Sequence, residues 1–339
     1  MKDQKLNKIH VRISPKIAIL VLVFFWGLSI VGTWFIAQKV HFQGDKTFSL
    51  LNPRLESLGL DTSEKRRAKL FTSLFPLKQE EIIFLGDKKD NAAFYVEDLN
   101  SGGWIGWKER DPFIPASLLK VPIAISVMKK VDEGDWALTT TFQMESKYKD
   151  KYFGKLWETP DGTSMTIEQL MKEMIQNSDN TATRIFLDKL TSQEKDDVYY
   201  QIGMANPKTS SKDDPTKPLF SEFSPKDLAT VFRALYNATY LTRESSNYIL
   251  QTLTETKFDD VVPTEIPSDI KIAHKIGNYF NPDPARPKQY HDCGITYLPD
   301  HNYLYCVMTK GLEPKDAEQI ITGISDRVYL YFNKNGKVE

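Results

Sequence analysis

The sequence predicts an α/β fold: a five-stranded antiparallel sheet flanked by helices and joined to a mostly helical lobe, with a transmembrane helix ahead of it. Three observations predict this. Strand-like runs stand at both ends of residues 90–339, helical runs fill the middle, and an uncharged apolar stretch precedes the whole. The chain has 339 residues, 41% hydrophobic and 26% charged, an ordinary globular composition. A net charge of −1 with no basic block argues against a nucleic-acid partner, because phosphate binding needs clustered Lys and Arg. Two cysteines exclude a disulfide scaffold and a zinc-ribbon array.

Residues 1–16 form a basic N-terminal segment with Lys2, Lys5, Lys8, Arg12 and Lys16 against the single acid Asp3. Ile17 to Ala37 then carries no charge and holds Phe24, Phe25, Trp26, Trp34 and Phe35 among Ile, Leu and Val. At about 1.5 Å per residue such a helix crosses a bilayer. The basic flank puts residues 1–16 in the cytoplasm, residues 17–38 in the membrane as a signal anchor, and the rest outside. A cleaved signal peptide is the competing reading, but Gln38-Lys39-Val40-His41 offers no small-x-small cleavage site. Residues 39–89 are mixed and charged and read as a stalk that becomes the first helix of the folded part, with a possible helix over Thr62 to Phe75.

Past residue 90 the elements follow in order. Ala92 to Val96 is a strand run, Asn100-Ser101-Gly102-Gly103 a turn, and Trp104 to Trp107 the returning strand. Helical runs follow at Leu118–Val131, Ile167–Gln176, Ala182–Leu190, Lys226–Tyr236 and Glu244–Thr254. Thr166 with Gln169 fits a capping box, and Ser224-Pro225 with Asp227 fits a cap followed by proline. Strands return at Lys271–Gly277, Tyr290–Leu298 and Tyr303–Thr309, and a helix from Pro314 to Phe332 closes the chain. Strands at both ends with helices between imply that the ends pair into one sheet.

Chemistry is best sought at Ser117-Leu118-Leu119-Lys120. A serine and a lysine three apart on a helix share a face, so the amine can take the hydroxyl proton. The spacing also occurs at Ser146–Lys149 and Ser192–Lys195. Only Ser117 is followed by an apolar run, Val121 to Ile125, beside which Lys120 would be desolvated and its pKa lowered. Pro122 is at odds with a helix interior unless it lies in the first turn.

Two motifs follow: Ser178-Asp179-Asn180-Thr181-Ala182 at the start of a helical run and Lys275-Ile276-Gly277 at the end of a strand. The order S-x-x-K, S-D-N, K-x-G resembles the serine β-lactamase and penicillin-binding-protein superfamily, most closely the class A β-lactamase-like serine hydrolases. Ile202-Gly203-Met204 and Asp292-Cys293-Gly294-Ile295 extend the likeness over about residues 90 to 335. The resemblance implies a β-lactamase/transpeptidase-like fold with Ser117 at the junction of sheet and helical lobe. It implies that Ser117 forms an acyl-enzyme, that Lys120 is its base, and that Ser178 relays a proton to the leaving nitrogen beside Lys275. Asn180 would hold the acyl-side amide, Asp179 would be a structural cap, and the backbone N–H groups of Ser117 and Asn278, just after Gly277, would form an oxyanion hole. No cofactor or metal is implied. The partners would be a β-lactam or a peptide such as a cell-envelope stem peptide.

The chain departs from the family's pattern in three places. Ile276 stands where the family has a hydroxyl residue that contacts a substrate carboxylate. Asn206 to Phe223 has no E-x-x-L-N segment, which disfavours fast deacylation, and its acids Asp213, Asp214 and Glu222 read as a solvated loop. Tyr279 to Pro284 forms a proline-bearing loop at one rim. A hairpin centred on Pro299-Asp300 sets Cys293 opposite Cys306, either as a disulfide or as two buried thiols. The five histidines show no metal-binding spacing, and His274 faces away from Lys275. Tyr95, Trp104 and Trp107 fit the sheet faces. A serine acyl-transfer enzyme is the leading expectation; a catalytically weak or inactive module that binds cell-envelope components is the alternative.

Overall fold

A computed structural model of the chain describes residues 48–52, 73–204, 222–258, 265–280, 287–299 and 301–336. The expected membrane helix, the possible helix over 62–75 in its greater part, and the loop acids Asp213 and Asp214 lie outside them. No helix among the described residues is long and apolar enough to cross a membrane.

Helix α1 (Phe75–Leu85) is followed by the hairpin β1 (Ala92–Asp98) and β2 (Trp104–Trp107). A 3₁₀ turn over Ala116–Leu119 runs directly into α2 (Lys120–Asp132). Pro122 therefore sits in the first turn of α2, where its missing N–H costs nothing. A two-stranded ribbon, β3 (Thr141–Gln143) with β4 (Ser164–Thr166), leads to α3 (Ile167–Gln176), α4 (Asn180–Lys189) and α5 (Ser192–Gln201). Helices α6 (Pro225–Tyr236) and α7 (Arg243–Thr254) complete the lobe. Strands β5 (Ile272–Tyr279), β6 (Gln289–Thr296) and β7 (Tyr303–Lys310) then precede α8 (Pro314–Gly336).

The sheet order is β2-β1-β7-β6-β5, antiparallel throughout, so the two chain ends do pair, through β1 and β7. Alternation along the strands splits the core in two. Ala93, Tyr95, Cys293 and Cys306 face the helical lobe and pack with residues such as Val121, Ile125, Met174 and Phe186. Phe94, Val96, Ile276 and Val307 face the other way, onto Leu77, Leu85, Ile321 and Phe332 of α1 and α8. Burying each such side chain contributes roughly 1.5–3 kcal/mol.

Packing onto the sheet and lobe begins before residue 90, as the expected first helix requires. Leu50 and Leu51 are buried in the first core, the Asn52 N–H donates to the Tyr236 carbonyl, and α1 covers the sheet through Leu77 and Leu85. The packing face of α1 is hard to read because its apolar residues stand at its two ends, around Lys78-Gln79-Glu80-Glu81, and not at helical spacing. The sequence reading also has no counterpart for α5, although Thr191 and Glu194 form a capping box there like those of Thr166–Gln169 and Ser224–Asp227. Cys293 lies directly opposite Cys306 and the two are joined as a disulfide.

Candidate active site

Strand β6 fixes the segment that carries Ser117. The Ile114 N–H donates to Gln289 Oε1 at 2.8 Å, and His291 Nε2 lies 2.9 Å from the Ile114 carbonyl. The Thr309 N–H donates to His291 Nδ1, so Nε2 carries the ring proton and donates to Ile114. Burial lowers the His291 pKa to about 4, which keeps this neutral tautomer at ordinary pH. On the other side the edge strand β5 closes in. A Cβ at Gly277 would lie 2.5 Å from the Pro115 carbonyl oxygen, so glycine is required for β5 to approach the turn before Ser117. Ala116 and Ser178 both have positive φ, at 49° and 52°, although neither is glycine. Backbone strain of this kind is stored where the surrounding structure holds it in place, commonly at functional sites.

Lys120 emerges from the start of α2 almost fully buried, at 3% exposure. Its Nζ lies 2.9 Å from Ser117 Oγ, 2.6 Å from the Ser178 carbonyl oxygen, 3.1 Å from Ser178 Oγ and 2.9 Å from Asn180 Oδ1. The two carbonyl-type oxygens can only accept, so they take N–H groups; a neutral amine then keeps its lone pair for the Ser117 proton. Burial, and next the charge of Lys275, hold the Lys120 pKa well below the usual amine value against the pull of Asp179 and Asp150. Lys275 is fully buried, with Nζ 2.9 Å from Ser178 Oγ, and burial lowers its pKa to about 7 against the pull of Asp292. Ser178 Oγ thus sits between the two amines.

Asp179 caps α4: its carboxylate accepts from the Ala182 N–H at 3.0 Å and the Leu156 N–H at 2.9 Å, and it does not touch Ser117. Burial raises its pKa. Asn278 follows Gly277 on β5, paired with Tyr290. The structure therefore brings Ser117, Lys120, Ser178, Asn180 and Lys275 into one hydrogen-bonded cluster and sets Asp179 beneath it. The two other S-x-x-K pairs are held elsewhere: Lys149 pairs with Asp161, and Lys195 donates to the Leu187 carbonyl. Ile276, on the opposite face of β5 from Lys275, is buried in the second core cluster, against which Phe258 also packs.

The sequence reading missed three contributors. Asp150 is paired with Arg184 and accepts from Asn180 Nδ2 at 3.3 Å, which aims Asn180 Oδ1 at Lys120. Phe153 and Phe258 meet over the lysines, with ring centroids 5.6 Å apart. Nothing in the spacing could have joined Phe153 to Phe258; Asp150 lay in a charged run, K-D-K, that reads as surface. Glu222 is exposed. Among the described residues no group of three His, Cys, Asp or Glu is placed to hold a metal ion.

A sheet covered by helices on both faces, with a serine and two buried lysines between sheet and lobe, defines a β-lactamase-like serine hydrolase. The profile of the Beta-lactamase enzyme family matches residues 78–332, and the chain belongs to that family. Beta-lactamase VEB-1 of Pseudomonas aeruginosa is 24% identical over 287 residues, 77% of this chain and 91% of its own length. The structure of PBP-A superposes with a TM-score of 0.68 at 25% identity, covering 77% of this chain and 97% of PBP-A. A mutant of PBP-A, solved as its acyl-enzyme complex with penicillin G, superposes at 0.67 with 26% identity over 77% and 97% of the two chains.

Proposed function

We propose that the protein is a membrane-anchored, extracytoplasmic enzyme that forms an acyl-enzyme at Ser117 with amide, peptide or β-lactam substrates and releases it slowly. The observation that carries this reading is the 2.9 Å approach of the buried Lys120 amine to Ser117 Oγ, with the amine favoured in its neutral form. Ser117 Oγ attacks the carbonyl carbon while its proton passes to Lys120 Nζ. The backbone N–H groups of Ser117 and Asn278 receive the oxyanion. As the C–N bond breaks, Ser178 gives its proton to the leaving nitrogen and regains one from Lys120; protonated Lys275 stabilises the relay. Asn180 orients the acyl side.

Slow release follows from the lack of an E-x-x-L-N glutamate and from the exposure of Glu222. The acyl-enzyme of the PBP-A mutant with penicillin G supports the same chemistry on this fold. Anchoring rests on residues 17–38 and their basic flank, and an outside location is supported by the Cys293–Cys306 disulfide, since such bonds persist in oxidising compartments. Intact-protein mass spectrometry with penicillins and cephalosporins tests the reaction: a persistent adduct absent from Ser117→Ala is expected. Retained labelling in that variant rejects Ser117 as nucleophile. No adduct from any compound favours the non-catalytic envelope-binding module. Protease accessibility of the domain in intact cells checks the topology.

A further inference from the structure

Oxygens enclose one lysine of the cleft, and an aromatic ring lies over the other. The Lys120 amine is surrounded by oxygens of Ser117, Ser178 and Asn180, and Lys275 Nζ lies between Ser178 Oγ and the Ile276 carbonyl at 3.4 Å. The faces left over are covered by phenyl rings. Phe153, from the segment between β3 and β4, places its ring centroid 5.9 Å from Lys120 Nζ; Phe258, just past α7, places its own 5.3 Å from Lys275 Nζ. The two rings lie against each other, tilted by 44°, so they form one continuous cover over the two amines. Among the described residues Lys120 and Lys275 are the only cations in contact with Ser117 or Ser178. A carboxylate entering here would lose its hydration and have to displace a ring before it could reach either amine. An uncharged apolar group would instead lie against the outer faces of the rings with no charge to desolvate.

We propose that Phe153 and Phe258 form an aromatic clamp that selects acyl donors uncharged on the leaving side of the scissile bond. The inference rests on the acyl-transfer reading above and names its substrate class. Phe258 is the specificity residue, because it lies over Lys275, the amine beside the serine that protonates the leaving group. Ile276 agrees with this, since its side chain sits in the core and offers the leaving group neither charge nor hydroxyl.

Penicillin G and its methyl ester differ only by the carboxylate on the leaving side, and they form the test pair. Acylation rates of the full chain in detergent micelles are read by intact mass and normalised to each compound's alkaline hydrolysis. The methyl ester is expected to react faster by about tenfold or more, the factor set by an unpaired buried charge of modest cost. Phe258→Ala should bring the ratio towards one, and Phe258→Arg should reverse it. Phe258→Leu guards against a folding defect by keeping the apolar contact without the ring, and should give an intermediate ratio. Faster reaction of penicillin G in the native chain overturns the clamp, as does a ratio unmoved by all three variants. If a fluorophosphonate labels Ser117 but neither penicillin does, the clamp falls while acyl transfer stands. If nothing labels Ser117, both fall.

Discussion

The two faces of the sheet treat buried charge in opposite ways. On the cleft side two lysines are buried with oxygen partners around each amine. On the far side Glu81 of α1 is buried against α8, and neither of its carboxylate oxygens has a hydrogen-bond partner among the described residues. Burial lowers the Lys275 pKa to about 7 and raises that of Glu81 to about 9, Arg327 opposing the latter. In the cleft, desolvation yields an amine able to accept a proton, and the neighbouring oxygens fix where it points. Behind the sheet, the same desolvation yields only a neutral acid. A buried ionisable group becomes chemically useful when partners orient it next to a reacting atom.

Lys120→Met breaks this contrast most completely. It removes the base but keeps the volume, and acylation of Ser117 should fall by more than about a thousandfold. The checking measurement is the rate of adduct formation with a fluorophosphonate or a penicillin; a loss below tenfold would remove Lys120 from the mechanism. Gly277→Ala acts on geometry alone. Its Cβ would meet the Pro115 carbonyl at 2.5 Å, so β5 must retreat from the turn that holds Ser117. A displacement of this order costs about a hundredfold in rate, and the acylation rate should fall while the melting temperature changes little.

The pH dependence separates the two faces. Lys275 has a folded pKa of about 7, below its unfolded value, so the unfolded chain binds the extra proton and stability rises as pH increases from about 7 towards 10. Glu81 has a folded pKa of about 9, above its unfolded value, so the folded chain binds the extra proton and stability falls as pH increases from about 4.5 to 9. Between pH 7 and 9 the two slopes oppose each other. Glu81→Gln removes one of them, and denaturant unfolding should then show stability rising across that interval. It should also stabilise the protein at pH 8, where folding no longer has to take up a proton at this position. Acylation should decline above about pH 7 in both proteins, as Lys275 loses its proton.

What the sequence made legible follows the same division. Ser117 and Lys120 were readable from their spacing on one helix face, and Ser178, Asn180 and Lys275 from the resemblance of S-D-N and K-x-G to the family's motifs. The sheet was readable from its strand runs, down to the register that faces Cys293 with Cys306. Glu81 and α1 were not, because K-Q-E-E looks like solvated surface until α8 is laid across it. Phe153 and Phe258 are 105 positions apart in sequence, and only the folded lobe brings them over the lysines. Short motifs thus reach the clustered serines and lysines, whereas the surroundings that tune them depend on tertiary contact.

Asp179 supplies the smallest effect and tests whether the support beneath the cluster is separable from its chemistry. Its carboxylate ties the Leu156 N–H to the start of α4, and that start carries Asn180. Asp179→Asn keeps one acceptor oxygen and should cost about 0.5–1 kcal/mol, in the range of a weakened helix cap. Thermal unfolding measures that loss. If Asp179 only holds the helix, the acylation rate of the folded fraction should stay within about threefold of native, a difference below 1 kcal/mol in barrier. A much larger fall at unchanged stability would give Asp179 a direct part in tuning Lys120, whose pKa its charge raises. The pH profile distinguishes the two, because loss of that charge would shift the Lys120 limb downwards and loss of a cap would not.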